Sequence, residues 1–311
     1  MESDLHKSNK AHKKVGLKKY AKWLNIFGGL ISVASIFFVV LRLKVYLNED
    51  VLVFFNLTNL LIVSLIAFSY GITSIILGCS WRYLLAMSGS VHTFRWAIGV
   101  YGIAQLAKYM PGNIFHFAGR QVLGMADGVS AKSLLKSTFW ELVILVISGG
   151  VFIIIVIPSY LGSYLQFKTL AMCAFVFSVF FIGVFSYKFI NRFFTIAFFL
   201  QLSFLVFSGF VFYLILLLVS TKKHFFYTED YWMLMFVPAA FVTAWLIGLV
   251  TPGAPAGIGI REVVLIYLLG SYFDNSEIIL AVVVSRIVTV SGDVFFYFIA
   301  NAFRRVSINA C

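Results

Sequence analysis

Seven charged residues, Lys108, Arg120, Glu141, Arg261, Glu262, Arg286 and Asp293, fall in or beside long apolar stretches of this chain. A lone charge near the centre of a bilayer costs about 2.5–3.5 kcal/mol on insertion scales, so each of them needs a partner or water. One chemistry that satisfies them is a set of structural ion pairs fixing helix packing, such as Glu262 with Arg286 and Arg261 with Glu141 or Asp293. The other is anion binding. Four cations oppose three acids, and arginine holds phosphate through two parallel hydrogen bonds, while the N-terminus of a half-helix offers unpaired N–H groups to the same anion. On that reading Arg120 and Arg261 hold a phosphate, Lys108 and Arg286 are further ligands, and the acids orient these cations or carry coupled protons.

Other chemistries find little footing. The five histidines form no HxxxH or HExxH pattern, and Cys79, Cys173 and Cys311 are widely spaced with no CxxC. Neither a metal site nor a disulfide framework is expected, and no cofactor. A GxxxxGK[ST] phosphate loop is absent from the sequence, so nucleotide hydrolysis by this chain is not expected to drive any transport. No serine is visibly paired with a base, and no nucleic-acid partner is expected.

The elements that must position the charges are membrane helices. Of 311 residues, 61% are hydrophobic and only 12% charged, with a mean hydropathy of +0.98, far outside the range of an ordinary soluble domain. A span needs roughly 20 apolar residues. Apolar runs at about 23–42, 53–79, 137–157, 169–187, 193–219 and 278–302 meet that length. Two further stretches are interrupted, 95–125 at Pro111-Gly112 and 231–272 across Thr251-Pro252-Gly253-Ala254-Pro255-Ala256-Gly257. Proline removes a backbone donor, and backbone groups freed at membrane depth must face protein or a wet cavity. The expected fold is therefore an all-α polytopic membrane protein with about six full spans plus two broken or re-entrant helical segments, or else eight spans. Residues 1–22 form a polybasic tail, 23–305 one transmembrane domain and 306–311 a short C-terminal tail. The first run should remain as a signal anchor, because Arg42-Leu43-Lys44 stands where a cleavage site would need small residues.

Counting cations orients the chain. With six spans and two hairpins, fifteen lysines and arginines fall on the side of the termini and five on the other; eight crossings give fourteen against six. Both put the termini in the cytoplasm of a multi-pass protein of the cytoplasmic membrane. The interrupted segments also match each other in spacing. Seven residues separate Gly112 from Arg120 and Gly253 from Arg261, which is what an inverted repeat around a mid-membrane site would look like.

The block Lys108-Tyr109-Met110-Pro111-Gly112 with Arg120, then Glu141, then Thr251 to Gly257 running through Ile258-Gly259-Ile260-Arg261-Glu262, then Arg286, resembles the transmembrane domain of lysylphosphatidylglycerol synthases, the flippase-like domain. The resemblance covers roughly residues 20 to 305; Ala256 stands where the family commonly has Gly. It implies a lipid-translocating fold with re-entrant helices, and a substrate that is an anionic phospholipid, an aminoacylated lipid or a lipid-linked glycan. Pro111, Gly112, Pro252, Gly253, Gly257 and Gly259 would shape the site, and Lys108, Arg120, Glu141, Arg261, Glu262, Arg286 and Asp293 would line it. The soluble aminoacyltransferase domain of the synthases is not in this sequence, so aminoacyl transfer would need a separate protein. Two alternatives stand beside a flippase-like transporter. One is a non-transporting membrane subunit that assists a glycosyltransferase or another envelope-biosynthesis enzyme as its partner; the other is an integral membrane transferase.

Overall fold

The computed structural model describes residues 54–110, 114–158, 165–220, 232–251 and 259–309. The basic tail 1–22, the apolar run 23–42, and Pro111, Gly112, Pro252, Gly253 and Gly257 lie outside the described residues. Every regular element among the described residues is a helix: α1 Leu57–Thr73, α2 Ile75–Met87, α3 Phe94–Gln105, α4 Phe115–Ala126, α5 Ala131–Val151, α6 Ile153–Val156, α7 Leu165–Phe189, α8 Arg192–Val219, α9 Trp232–Val250, α10 Ile260–Leu269 and α11 Asn275–Asn309. Helix starts are written in polar residues that bond otherwise unpaired first-turn amides. Asn56 accepts from the Asn59 N–H, Thr93 from Trp96, Ser130 from Ser133 and Asn191 from Phe193.

Among the described residues six helical stretches are long and apolar enough to cross a membrane: Leu57–Met87, Ala131–Val156, Gln166–Phe189, Arg192–Val219, Trp232–Val250 and Asn275–Arg304. Five of them coincide with the uninterrupted runs of the sequence; the sixth is the first arm of the second interrupted segment. The α1–α2 stretch runs past Arg82, whose charge is accommodated at the helix end. Its Nε–H donates to the His92 carbonyl and its guanidinium lies 4.3 Å from the centre of the Phe94 ring. At the other terminus α11 extends to Asn309, so most of the expected C-terminal tail continues the last helix.

The core is built around α8, α9 and α11. In α9 67% of the most apolar stretch is buried, against 17% in α7. Consequently α7 sits at the periphery, where Phe177, Phe181, Phe185 and Phe189 stack at successive turns along its exposed face. A close backbone approach joins α1 to α11. A Cβ on Gly71 would stand 2.7 Å from the Gly292 carbonyl oxygen, and one on Gly292 would stand 2.8 Å from that of Ala67.

Both interrupted segments leave on the side where they enter. Trp96, at the start of α3, donates its indole N–H to Asp127 at the end of α4 at 2.8 Å, and Arg304 near the end of α11 pairs with the same carboxylate at 3.5 Å. The first segment is thus a re-entrant hairpin anchored at the Arg304 end of α11. Phe236, near the start of α9, meets Tyr272 just after α10, ring centres 5.6 Å apart, and Ser220 at the end of α8 donates to Glu277 at the start of α11. The second segment is anchored at the Glu277 end. About 40 Å of helix separates Glu277 from Arg304 at 1.5 Å per residue, so the hairpins enter from opposite faces. Each half of the fold repeats the order span, hairpin, span, first α1/α2, α3/α4 and α5, then α8, α9/α10 and α11.

The hairpins differ in one respect that equal spacing to the arginines does not disclose. α3 and α4 have 12 residues each, too short to cross, whereas α9 has 19, about 28 Å of helix. The reason lies in the chain before each break. α3 passes into a 3-10 turn at Leu106–Tyr109, and Met110 is already extended at φ −67, ψ 148, as the steric demand of a following proline requires. α9 has only Pro238 to interrupt it and continues to Val250.

Candidate functional site

The charged residues of the interrupted segments meet those of α5 and α11 as three ion pairs. Lys108 Nζ lies 2.6 Å from Asp293 Oδ2, and the Asp293 side chain is fully buried; the Tyr109 hydroxyl donates to the same oxygen. Arg120 Nη1 lies 2.6 Å from Glu141 Oε2, and the Tyr101 hydroxyl donates to the other carboxylate oxygen at 2.9 Å. Arg286 Nη2 lies 2.7 Å from Glu262 Oε1. The pairing expected between Glu262 and Arg286 is present. Glu141 is held by Arg120 and Asp293 by Lys108, in place of the Arg261 contacts anticipated for these two acids, because the first hairpin carries its own cations to within reach of them.

Local backbone chemistry sets each pair. Gly259 at φ 86 occupies the left-handed region that glycine enters without cost, and it turns the chain into α10. Its N–H donates to Glu262 Oε2 at 2.7 Å. Glu262 therefore closes the first turn of α10 and holds Arg286 with its other oxygen; a carboxylate there also complements the positive end of the helix. Arg120 is held differently. It is 1% exposed, and its guanidinium lies 4.3, 5.0 and 5.7 Å from the centres of the Tyr101, Phe117 and Trp81 rings, an aromatic enclosure that stabilises a desolvated cation.

A cavity of about 200 Å³ lies where the two hairpins approach α5, α8 and α11. Lys108 from the first hairpin, Arg261 from the second and Arg286 from α11 line it, together with Glu141 from α5. Among the described lining residues three cations thus face one acid. Asp293 and Glu262 bond their cations from behind without lining the cavity, and Arg120 stands behind Glu141 in the same way. Of the residues singled out from sequence, Lys108, Glu141, Arg261 and Arg286 line the space, while Arg120, Glu262 and Asp293 position them.

Several lining groups escaped the sequence reading. Gln105 and Gln201 are buried and line the same cavity with Tyr70, Ser208 and Thr289. The Gln201 side-chain oxygen has no hydrogen-bond partner among the described residues. Such groups are rare in a buried setting and point to a missing donor from water or ligand. The available signal was a lone glutamine in the middle of α8, a helix otherwise almost wholly apolar. Searching for charges passes over neutral polar residues of this kind.

Taken together, fold and site define a polytopic helical membrane protein with a cationic cavity enclosed between two opposed hairpins. Compared with protein-family models the chain matches none, and no curated protein matches it either.

Proposed function

We propose that the cavity binds the anionic headgroup of a membrane lipid and that the protein moves this lipid across the bilayer as a flippase-like transporter. The observation that carries the reading is the convergence of Lys108, Arg261 and Arg286 from three different elements on one cavity that Glu141 alone opposes among its described charged residues. Buried cations in a low-dielectric setting bind phosphate oxygens strongly, and arginine does so with two hydrogen bonds in a fixed fork. Opposed hairpins supply the second support, since rocking one against the other would expose a central site to either leaflet in turn. The likeness of Thr251 to Glu262 to the flippase-like transmembrane domain agrees with both.

In this reading the acids act as resident counter-ions. Asp293 and Glu262 hold Lys108 and Arg286 while the site is empty and share them with the arriving phosphate, Asp293 keeping the hydrogen bond from the Tyr109 hydroxyl and Glu262 that from the Gly259 N–H. The Arg304 end of the bundle faces the cytoplasm: Arg82, Arg95, Lys132, Lys136, Lys188, Arg192 and Arg304 fall at that end by the order of the helices, as the positive-inside rule requires.

Purified protein in liposomes containing a fluorescent anionic phospholipid tests the function. The wild type is expected to move label from one leaflet to the other, and Arg261→Ala to reduce the rate at least tenfold with insertion intact. Equal rates for wild type, Arg261→Ala and protein-free liposomes would overturn the reading.

A further inference from the structure

The same cavity has an apolar wall, and its composition says where the rest of a lipid would go. Leu142 and Leu145 of α5 and Trp245, Gly248 and Leu249 of α9 line the same space as Lys108, Arg261 and Arg286. α5 and α9 approach closely where a Cβ on Gly149 would stand 3.2 Å from a Leu246 methyl. Leu142 and Leu145 lie one to two turns from that point toward the start of α5, and Gly248 and Leu249 lie beyond it toward the end of α9. On this antiparallel pair those are the same direction. The two helices therefore share the cavity between them just beyond their contact.

Leu142 lines this space and is also partly exposed. It belongs to the stripe Leu135, Phe139, Leu142, Val146 that recurs every three to four residues along the exposed face of α5, and it is itself 37% exposed while lining the cavity. On α9, exposed Ile247 and Val250 flank the lining residues in the same way. Apolar lining residues set between partly buried cations and a lipid-facing surface match an amphiphile with its charge inward. About 200 Å³ admits a phosphate headgroup but is far smaller than two acyl chains, which must leave it through an apolar opening.

We infer that the gap between α5 and α9, lined by Leu142, Leu145, Trp245 and Leu249, is a lateral slot through which acyl chains of the bound lipid extend into the bilayer while its phosphate lies on the cations. The inference rests on the function proposed above and adds the route by which the lipid enters.

Two probes separate the slot from the headgroup site: inorganic phosphate, which has no chain, and a dioleoyl lipid whose headgroup is phosphate alone, each titrated against purified protein in detergent. Leu142→Trp is expected to weaken lipid binding tenfold or more and to leave phosphate binding within twofold. Lipid binding unchanged by this substitution overturns the slot while the headgroup site stands; wild-type protein that binds neither probe overturns the headgroup site and the slot with it. Because a bulky residue can disturb folding, a photo-crosslinking amino acid at Leu142 gives an independent reading in vesicles containing the same lipid. Adducts with the lipid should form there and fall at least fivefold on adding Arg261→Ala, whereas adducts at Leu135, on the outer stripe alone, should not change. Adducts at Leu142 that ignore Arg261→Ala would overturn the slot.

Discussion

Among single residues, a place in the cavity lining divides the charged groups into those that offer themselves to a ligand and those that hold others in place. Arg120 and Glu141 are 1% and 2% exposed and pair at 2.6 Å. Removing one partner of such a pair strands a buried charge at about 3–5 kcal/mol, while replacing both by apolar groups of similar size is often close to neutral. Arg120→Met alone should therefore lower the melting temperature in detergent markedly, and Arg120→Met combined with Glu141→Leu should recover most of the loss. A double variant no more stable than the single one would contradict a positioning role for Arg120. His92, in the turn between α2 and α3, makes a separate prediction. Burial pushes its imidazole below the ordinary value of 6.5, against a weaker upward pull from Asp127, and its ring stacks on Trp96 at 4.1 Å. A histidine whose pKa is depressed by folding contributes stability that is complete above the unfolded value and is lost as pH falls below it. Acidification from pH 7.5 to 5.5 should thus destabilise the wild type more than His92→Phe, which keeps the stacking and cannot titrate; thermal melts at the two pH values compare them.

At the scale of elements, the opposed hairpins and the α1–α11 crossing decide whether the charges meet. The crossing leaves no room for a side chain at Gly292, next to Asp293, so Gly292→Val should cost about 1–3 kcal/mol by overpacking and disturb the Lys108 pair. Insertion of opposite hairpins is tested with single cysteines at Ser90 and Asp274 after Cys79, Cys173 and Cys311 are changed to serine. In sealed vesicles of known orientation a membrane-impermeant maleimide should reach one position from outside and the other only after permeabilisation; equal labelling of both from outside would contradict the topology. Much of this arrangement was legible in the residues. Apolar runs mark the spans, and the two Pro-Gly breaks mark the interruptions. That the segments turn back was not legible, because it depends on contacts such as Trp96 with Asp127 that no spacing encodes. Nor was the 19-residue length of α9, since a proline early in a helix and a proline at its end look alike in a hydropathy pattern.

Across the whole molecule, two half-folds with hairpins entering from opposite faces close around a space lined by Lys108, Arg261 and Arg286. The sequence points to its charged residues because a membrane makes every such residue conspicuous. It does not assign their partners: Asp293 lies 185 positions from Lys108 in the chain, and three acids among four cations allow many pairings. The neutral groups Gln105 and Gln201 stand out only once α3 and α8 are seen to face the same cavity. If the acids are exchangeable counter-ions, a bound anion should stabilise the fold by linkage, which rises with the logarithm of its concentration. Wild-type protein should melt higher with added anionic lipid, and Arg286→Ala should abolish most of that shift.

That an anion sits on cations inside the bundle is tested by phosphorus–nitrogen dipolar dephasing in solid-state NMR of protein carrying nitrogen-15 in every arginine, reconstituted with an anionic phospholipid. Dephasing from a phosphorus within hydrogen-bonding distance of a guanidinium nitrogen is expected, reduced in both Arg261→Ala and Arg286→Ala and unchanged in Arg192→Ala. Dephasing that persists in full in the first two variants, or none in the wild type, would contradict it.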